Sequence, residues 1–134
     1  ALAIGGFNGE LMLPNKKINN IKLNYPLGVN DFSKIFHKKF DENQFKSIPQ
    51  FIYMGKLDDN DAVQFDDAYN DTERNIINVN LGIEVQNRYL KCQEIYKKYN
   101  VNATFTTYEN VGHWTTSEMN LEVIKFFFNQ MQTD

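Results

Sequence analysis

Short apolar runs alternate with stretches of helical periodicity along this chain. Ala1–Ile4 and Gln50–Met54 are almost continuously apolar, and a glycine follows each of them, which is typical of a buried parallel strand. Pro49 fits the start of the second run, because the first position of a strand needs no ladder donor. In Val101–Glu109 apolar residues alternate with polar or small ones, so this segment predicts a third strand.

Two longer segments predict amphipathic helices. From Gly82 onward, one stripe has apolar spacings of 4, 3, 4 and 3, formed by Val85, Tyr89, Cys92, Tyr96 and Tyr99. Near the C-terminus, Thr115 with Glu118 matches a capping box that would open a final helix. The buried side of that helix is expected to include Leu121, Ile124, Phe127, Phe128 and Met131.

The remaining segments carry weaker patterns. Asn30–Lys39 predicts a short helix capped by Asp31, with Phe32, Ile35 and Phe36 on one face. Asp58–Leu81 is polar and acidic, and we expect a long loop or insertion there. We divide the chain into a strand (residues 1–6), an excursion or cap-like segment (residues 7–46), and a β-loop-α-β-loop-α unit (residues 47–134).

Strands that alternate with helices in this way predict an α/β fold with a parallel sheet, a single α/β sandwich domain over residues 1–134. With 134 residues, of which 42% are hydrophobic, the chain can fill a core. The formal charge is −3 and the basic residues are scattered, which argues against a nucleic-acid partner. No apolar stretch approaches the roughly 18–20 residues that a membrane span needs.

The N-terminus and the single cysteine bear on processing and compartment. Ala1 follows no initiator Met, and no signal peptide is visible, so the apolar run at Ala1–Ile4 indicates a strand cut from a longer protein. Cys92 alone excludes an internal disulfide or a cysteine metal cluster. Together these features favour a cytoplasmic location, although many secreted bacterial enzymes also lack cysteine pairs.

Two loops follow the carboxyl ends of predicted strands, where catalytic groups of parallel sheets gather. The first contains Asp58 and the second contains Gly112 and His113. A carboxylate and a histidine on adjacent strand ends suit a catalytic triad, in which the histidine takes a proton and the carboxylate orients it. Asp61 is the alternative acid, and Asp59 is a weaker one.

Other interpretations of these residues stay open. Asp58 can simply cap a turn, and the Asp58–Asp61 run lacks the ligand spacing of an EF-hand, so we expect neither a metal nor a cofactor. Trp114 can line an acyl pocket or pack under the last helix. Gly6 and Phe7 can border the substrate site or only end a strand.

The segments Gly55-Lys56-Leu57-Asp58 and Asn110-Val111-Gly112-His113 resemble the C-terminal half of an α/β-hydrolase. The opening Ala-Ile-Gly-Gly strand, Tyr25-Pro26-Leu27-Gly28 and the Asp-rich loop are similar to the esterase and polyester-depolymerase-like branch. This resemblance implies an ester-hydrolysing serine hydrolase with a small-molecule ester substrate, in which Asp58 is the acid and His113 the base.

The chain departs from that family in one essential respect. Its serines are Ser33, Ser47 and Ser117, and none stands in the Gly-x-Ser-x-Gly turn that presents the nucleophile. The resemblance therefore implies that the nucleophile lies upstream of Ala1, and that this chain alone is inactive. We expect association with the missing N-terminal half or with a second copy. The alternative is a non-catalytic α/β module, either a ligand-binding or a degenerate hydrolase domain.

Overall fold

The structure is a computed structural model, and it describes residues 1–65 and 69–132. In chain order its elements are β1 (Leu2–Ile4), β2 (Lys17–Ile18), β3 (Ile21–Lys22), α1 (Phe32–Phe36), α2 (Glu42–Ser47), β4 (Gln50–Gly55), α3 (Ala62–Phe65), α4 (Asp71–Asn80), α5 (Val85–Lys98), β5 (Ala103–Tyr108) and α6 (Ser117–Met131). Among these elements, no helix is both long enough and apolar enough to cross a bilayer.

The three predicted strands form one parallel sheet in the order β1-β4-β5. The central strand β4 is buried along its whole length, as its continuous apolar run predicts. It pairs with β5 from Gln50 opposite Ala103 to Gly55 opposite Tyr108. The expectation of an α/β fold with parallel strands is therefore confirmed.

Side chains along β4 point alternately to the two faces of the sheet, and helices pack on both faces. Ile52 and Met54 belong to the larger apolar cluster, which also contains the buried stripe of α5. Phe51 and Tyr53 point to the opposite face and pack in a smaller cluster under α6. Gly55 pairs with Tyr108 at the ends of the parallel strands β4 and β5, so the loops that follow them emerge at the same edge of the sheet.

The excursion at residues 7–46 contributes to the larger cluster. It contains the β2–β3 hairpin and two short helices, and Leu11, Leu13, Leu23 and Leu27 are buried in the core. The α1 helix is shorter than predicted, since His37 has a left-handed φ of 54°. Asp31 makes no side-chain cap to α1, because its Oδ1 accepts from the Tyr25 N–H at 2.8 Å.

The expectation of a long loop at Asp58–Leu81 is wrong for most of its length. The segment contains α3 and the ten-residue helix α4, while residues 66–68 lie outside the described part. Asn70 and Glu73 form a capping box at the start of α4. This cap and the buried Ile77 stabilise α4, which could not be recognised from its sequence because the segment is mostly polar.

The last helix also differs from the sequence prediction. Its capping residue is Thr116, whose hydroxyl accepts from the Met119 N–H at 3.2 Å, so the proposed box of Thr115 with Glu118 is wrong. Its packed side is formed by Met119, Val123 and Phe126. The residues expected on the buried side are instead exposed: Leu121, Ile124, Phe127, Phe128 and Met131.

Candidate functional site

Asp58 and His113 meet at the carboxyl edge of the sheet. Asp58 follows β4 and His113 follows β5, and the His113 Nδ1 lies 3.1 Å from both Asp58 carboxylate oxygens. The Asp58 side chain is 2% exposed, whereas the imidazole is 38% exposed. The acid is thus buried beneath the ring, and the ring reaches solvent.

The hydrogen bonds define which imidazole nitrogen is available for chemistry. A carboxylate on Nδ1 favours the tautomer in which Nδ1 carries the proton and Nε2 carries a lone pair. The Asn60 side-chain amide lies 3.3 Å from Nε2 and can donate to it. The Asn60 backbone N–H also donates to Asp58 Oδ1 at 3.1 Å. Asn60 therefore closes a small polar network around the pair.

Two glycines allow the loops to approach each other. A Cβ on Gly55 would lie 2.2 Å from Val111 O and 2.5 Å from Gly112 O, so a side chain there would displace the histidine loop. A Cβ on Gly112 would lie 2.4 Å from a ring carbon of Trp114. The Gly-x-x-Asp and Gly-His sequences thus have a steric reason in this fold.

The acid loop is held from below by α5. Gln86 donates its side-chain amide to Gly55 O at 3.0 Å and to Asp58 O at 2.9 Å. The two loops also join each other directly, since the Leu57 N–H donates to Val111 O at 2.9 Å. These bonds fix the backbone on both sides of Asp58, which limits the freedom of its carboxylate.

Asp61, the alternative acid, is bonded elsewhere. Its Oδ1 accepts from Arg88 Nη2 at 2.6 Å, and both side chains are buried. Glu10 lies beside this pair, with Oε2 3.6 Å from Arg88 Nε, and it accepts from the Tyr69 hydroxyl at 2.6 Å. Burial raises the pKa of Glu10, while the Tyr69 hydrogen bond and the Arg88 charge oppose the rise.

The three residues expected at a substrate pocket have different environments. Gly6 is exposed with a φ of 62°, which favours glycine at the strand end. Phe7 packs against Tyr89 with ring centroids 5.9 Å apart, as part of the core. Trp114, which follows His113 directly, is 61% exposed, and its ring lies next to Gly112.

Sequence reasoning missed Gln86, Asn60 and Arg88. Arg88 could have been identified from the sequence, because it lies three residues after Val85 on the apolar stripe of α5, where a buried charge needs a partner. The roles of Gln86 and Asn60 could not have been predicted, since they depend on two loops that are distant in sequence. Cys92 is fully buried, as its stripe position predicts, and burial raises its thiol pKa to about 12.

The candidate site has no serine hydroxyl and no metal cluster among the described residues. The hydrogen bonds to the His113 ring come from Asp58 and Asn60. Within residues 1–65 and 69–132, no group of three or more His, Cys, Asp or Glu side chains is arranged to hold a metal ion. Comparison of the chain with protein-family models, curated proteins and solved structures found no match.

Proposed function

We propose that this chain supplies the acid and the base of a serine hydrolase that cleaves carboxylic esters. The chain would be the C-terminal half of an α/β-hydrolase fold, with a nucleophilic serine upstream of Ala1. The observation that carries this proposal is the pair of 3.1 Å distances between His113 Nδ1 and a buried Asp58 carboxylate. A buried acid behind a solvent-facing imidazole is the arrangement that a general base needs.

In the proposed reaction, His113 Nε2 takes the proton of the serine hydroxyl as the hydroxyl oxygen attacks the ester carbonyl. The proton then passes from Nε2 to the leaving alkoxide, which departs as an alcohol and leaves the acyl group on the serine. A water molecule next attacks that acyl group while Nε2 takes its proton and returns it to the serine oxygen, so the carboxylic acid leaves and the serine is regenerated. Asp58 holds the ring and stabilises the imidazolium in both stages. The Asn60 amide now contacts Nε2, so the serine hydroxyl would replace it there.

The test uses the complete encoded protein and a short p-nitrophenyl ester. The coding sequence ahead of Ala1 should contain a Gly-x-Ser-x-Gly turn, and its absence would contradict the proposal. His113→Ala should lower kcat/KM by about 10³-fold or more, because the proton acceptor is lost. Asp58→Asn should lower kcat strongly while the substrate still binds.

A matched control lies on the same two loops. Lys56 and Glu109 form an exposed ion pair at 2.7 Å, with side chains 56% and 66% exposed. Lys56→Gln removes a charge next to the site without touching the acid–base pair, so kcat/KM should stay within about twofold of the wild type. Unchanged turnover in His113→Ala would refute the role proposed for His113, while the absence of any nucleophile turn together with no ester hydrolysis would favour the non-catalytic α/β module.

A further inference from the structure

A cavity of about 280 Å³ lies between the excursion and α4. Among the residues that the structure describes, its wall includes none from the loops after β4 and β5. The cavity is therefore distinct from the site of Asp58 and His113. Most of the wall consists of aliphatic side chains of the larger apolar cluster, including Leu11, Leu13, Leu23, Leu27, Ile76 and Ile77.

One carboxyl group stands at the wall of this apolar cavity. Glu10 is part of the wall, and its side chain is only 8% exposed. Oε1 accepts from the Tyr69 hydroxyl at 2.6 Å, but Oε2 has no hydrogen-bond partner within residues 1–65 and 69–132. Burial raises the pKa of this carboxyl, and Asn8 and the Glu10 main chain oppose the rise, yet neither donates to Oε2 in hydrogen-bonding geometry. Because buried polar atoms normally have a partner, Oε2 is an acceptor that a ligand can satisfy.

The nearest cation does not satisfy the Glu10 carboxyl. Arg88 Nε lies 3.6 Å from Oε2, and its N–H donates instead to Asn8 O at 2.8 Å. Arg88 Nη2 donates to Asp61 Oδ1 at 2.6 Å. Two carboxylates thus share one guanidinium, and the side chains of Glu10, Asp61 and Arg88 are 8%, 9% and 0% exposed. A buried charge without a partner is unfavourable, so one further positive charge at the cavity would balance the second carboxylate.

The buried amide of the wall makes its hydrogen bonds within the protein. Asn80 Nδ2 donates to Ile76 O at 2.8 Å, and Asn80 Oδ1 accepts from the Asn19 amide at 3.0 Å. Polar recognition of a ligand therefore depends on Glu10. The cavity combines one buried anionic acceptor with an aliphatic wall, which matches a ligand that has a cationic end and a hydrocarbon chain.

We propose that this cavity binds a primary alkylamine in its protonated form, with the ammonium at Glu10 Oε2 and the alkyl chain along the leucines of the excursion. An ammonium supplies three donors and one positive charge, whereas an alcohol lacks the charge and a carboxylate would add a third negative group. A cavity of about 150 Å³ lined by Leu, Ile and Phe holds benzene, so about 280 Å³ suits a ligand of about ten non-hydrogen atoms, the size of octylamine. The site needs neither Asp58 nor His113, so this inference does not depend on the proposed ester hydrolysis.

The test is isothermal titration calorimetry of the complete encoded protein with octylamine, 1-octanol and octanoate. The three probes share one chain length and differ in charge, and at about pH 7 the amine is protonated. Octylamine should bind at one site per chain and at least about 10-fold more tightly than octanol, because only the amine pairs a positive charge with Glu10. Octanoate should bind more weakly than octanol, because its carboxylate would be repelled.

Three variants separate the charge of Glu10 from the shape of the cavity. Glu10→Gln keeps the shape of the side chain, so octylamine should lose at least about 10-fold in affinity while octanol stays within about twofold. Ile76→Phe narrows the cavity and should weaken both probes at least about 10-fold. Glu94→Gln is the matched control, since Glu94 is 67% exposed and pairs with Lys91, and it should leave octylamine binding within about twofold.

A measurement on the wild type shows where the amine lies without any substitution. In NMR spectra, octylamine should shift the methyl resonances of Leu13 and Leu23, and it should leave those of Val123 on the opposite face of the sheet in place. Unshifted resonances at the two leucines, or no saturable binding, overturn the cavity as the site. Equal octylamine affinity in Glu10→Gln and the wild type, or octanol that binds as tightly as octylamine, overturns the ammonium contact.

Discussion

The guanidinium of Arg88 links the excursion, α5 and the acid loop. It is completely buried, and its Nη2 donates to Asp61 Oδ1 at 2.6 Å while its Nε donates to Asn8 O at 2.8 Å. Nη1 donates to Ile83 O. The Asp61 side chain is only 9% exposed, so little water reaches the carboxylate that Arg88 neutralises.

We expect Arg88→Met to destabilise the protein strongly. The methionine fills part of the space but leaves the Asp61 carboxylate without its cation, with the Gln64 N–H at 3.3 Å still donating to it, and Asn8 O loses its Arg88 donor. Removing one partner of a buried ion pair typically costs about 3–5 kcal/mol. For a chain of this length, that loss lowers Tm by about 10–20 °C. Lys91→Met is the matched control on the same helix, because Lys91 pairs with Glu94 where both side chains are exposed.

The free energy of unfolding of both variants is measured by urea titration, with unfolding monitored by circular dichroism. Lys91→Met should change the free energy of unfolding by less than about 0.5 kcal/mol. The double variant Arg88→Met/Asp61→Asn should be less destabilised than the sum of its single variants, because the charge left behind is removed. Equal effects of Arg88→Met and Lys91→Met would refute the view that the buried pair holds the acid loop.

Two further predictions concern the site loops and the buried acid. Gly55→Ala should lower the free energy of unfolding by about 1–3 kcal/mol and impair hydrolysis by the complete protein, because its Cβ would lie 2.2 Å from Val111 O. Unfolding and ester assays in which this variant matches the wild type would contradict the prediction. Since burial raises the pKa of Glu10 above 4.5, the folded state favours its protonated form. Its contribution is therefore fully present below about pH 4.5 and is lost as the pH rises through the folded pKa. Wild type should lose stability relative to Glu10→Gln as the pH is raised above about 4.5 in urea titrations, and a difference that does not change with pH would contradict the assignment.

The local sequence pattern was sufficient to predict an element when its buried residues recur regularly along one segment of the chain. The continuous apolar run at Gln50–Met54 predicted the central strand β4, and the stripe from Val85 to Tyr96 predicted α5. Each pattern reports burial of residues that are close in sequence. The same reasoning missed α4, because its stability comes from the Asn70–Glu73 cap and from packing of Ile77 on a distant core.

The candidate site was predictable in its residue types but not in its geometry. A carboxylate and a histidine at two strand ends indicated Asp58 and His113, and the structure places them 3.1 Å apart. The sequence favoured Asp58 as the acid but left Asp61 open as the alternative, since both lie in one acidic loop. That choice depends on Arg88, which binds Asp61 from another element.

The sequence by itself determined the three strands of the main sheet, their parallel pairing, the helix α5 and the two loops with Asp58 and His113. These follow from apolar periodicity and from glycine positions, which are local properties. The tertiary structure resolved the open alternative between Asp58 and Asp61 and decided which side of α6 packs on the sheet. Both depend on partners that are distant in the chain: Arg88 takes Asp61, while the cluster around Phe51 selects Val123 and Phe126 over Leu121 and Phe128. An apolar period predicts that a helix buries a face, but it does not identify that face when the helix is apolar on two sides.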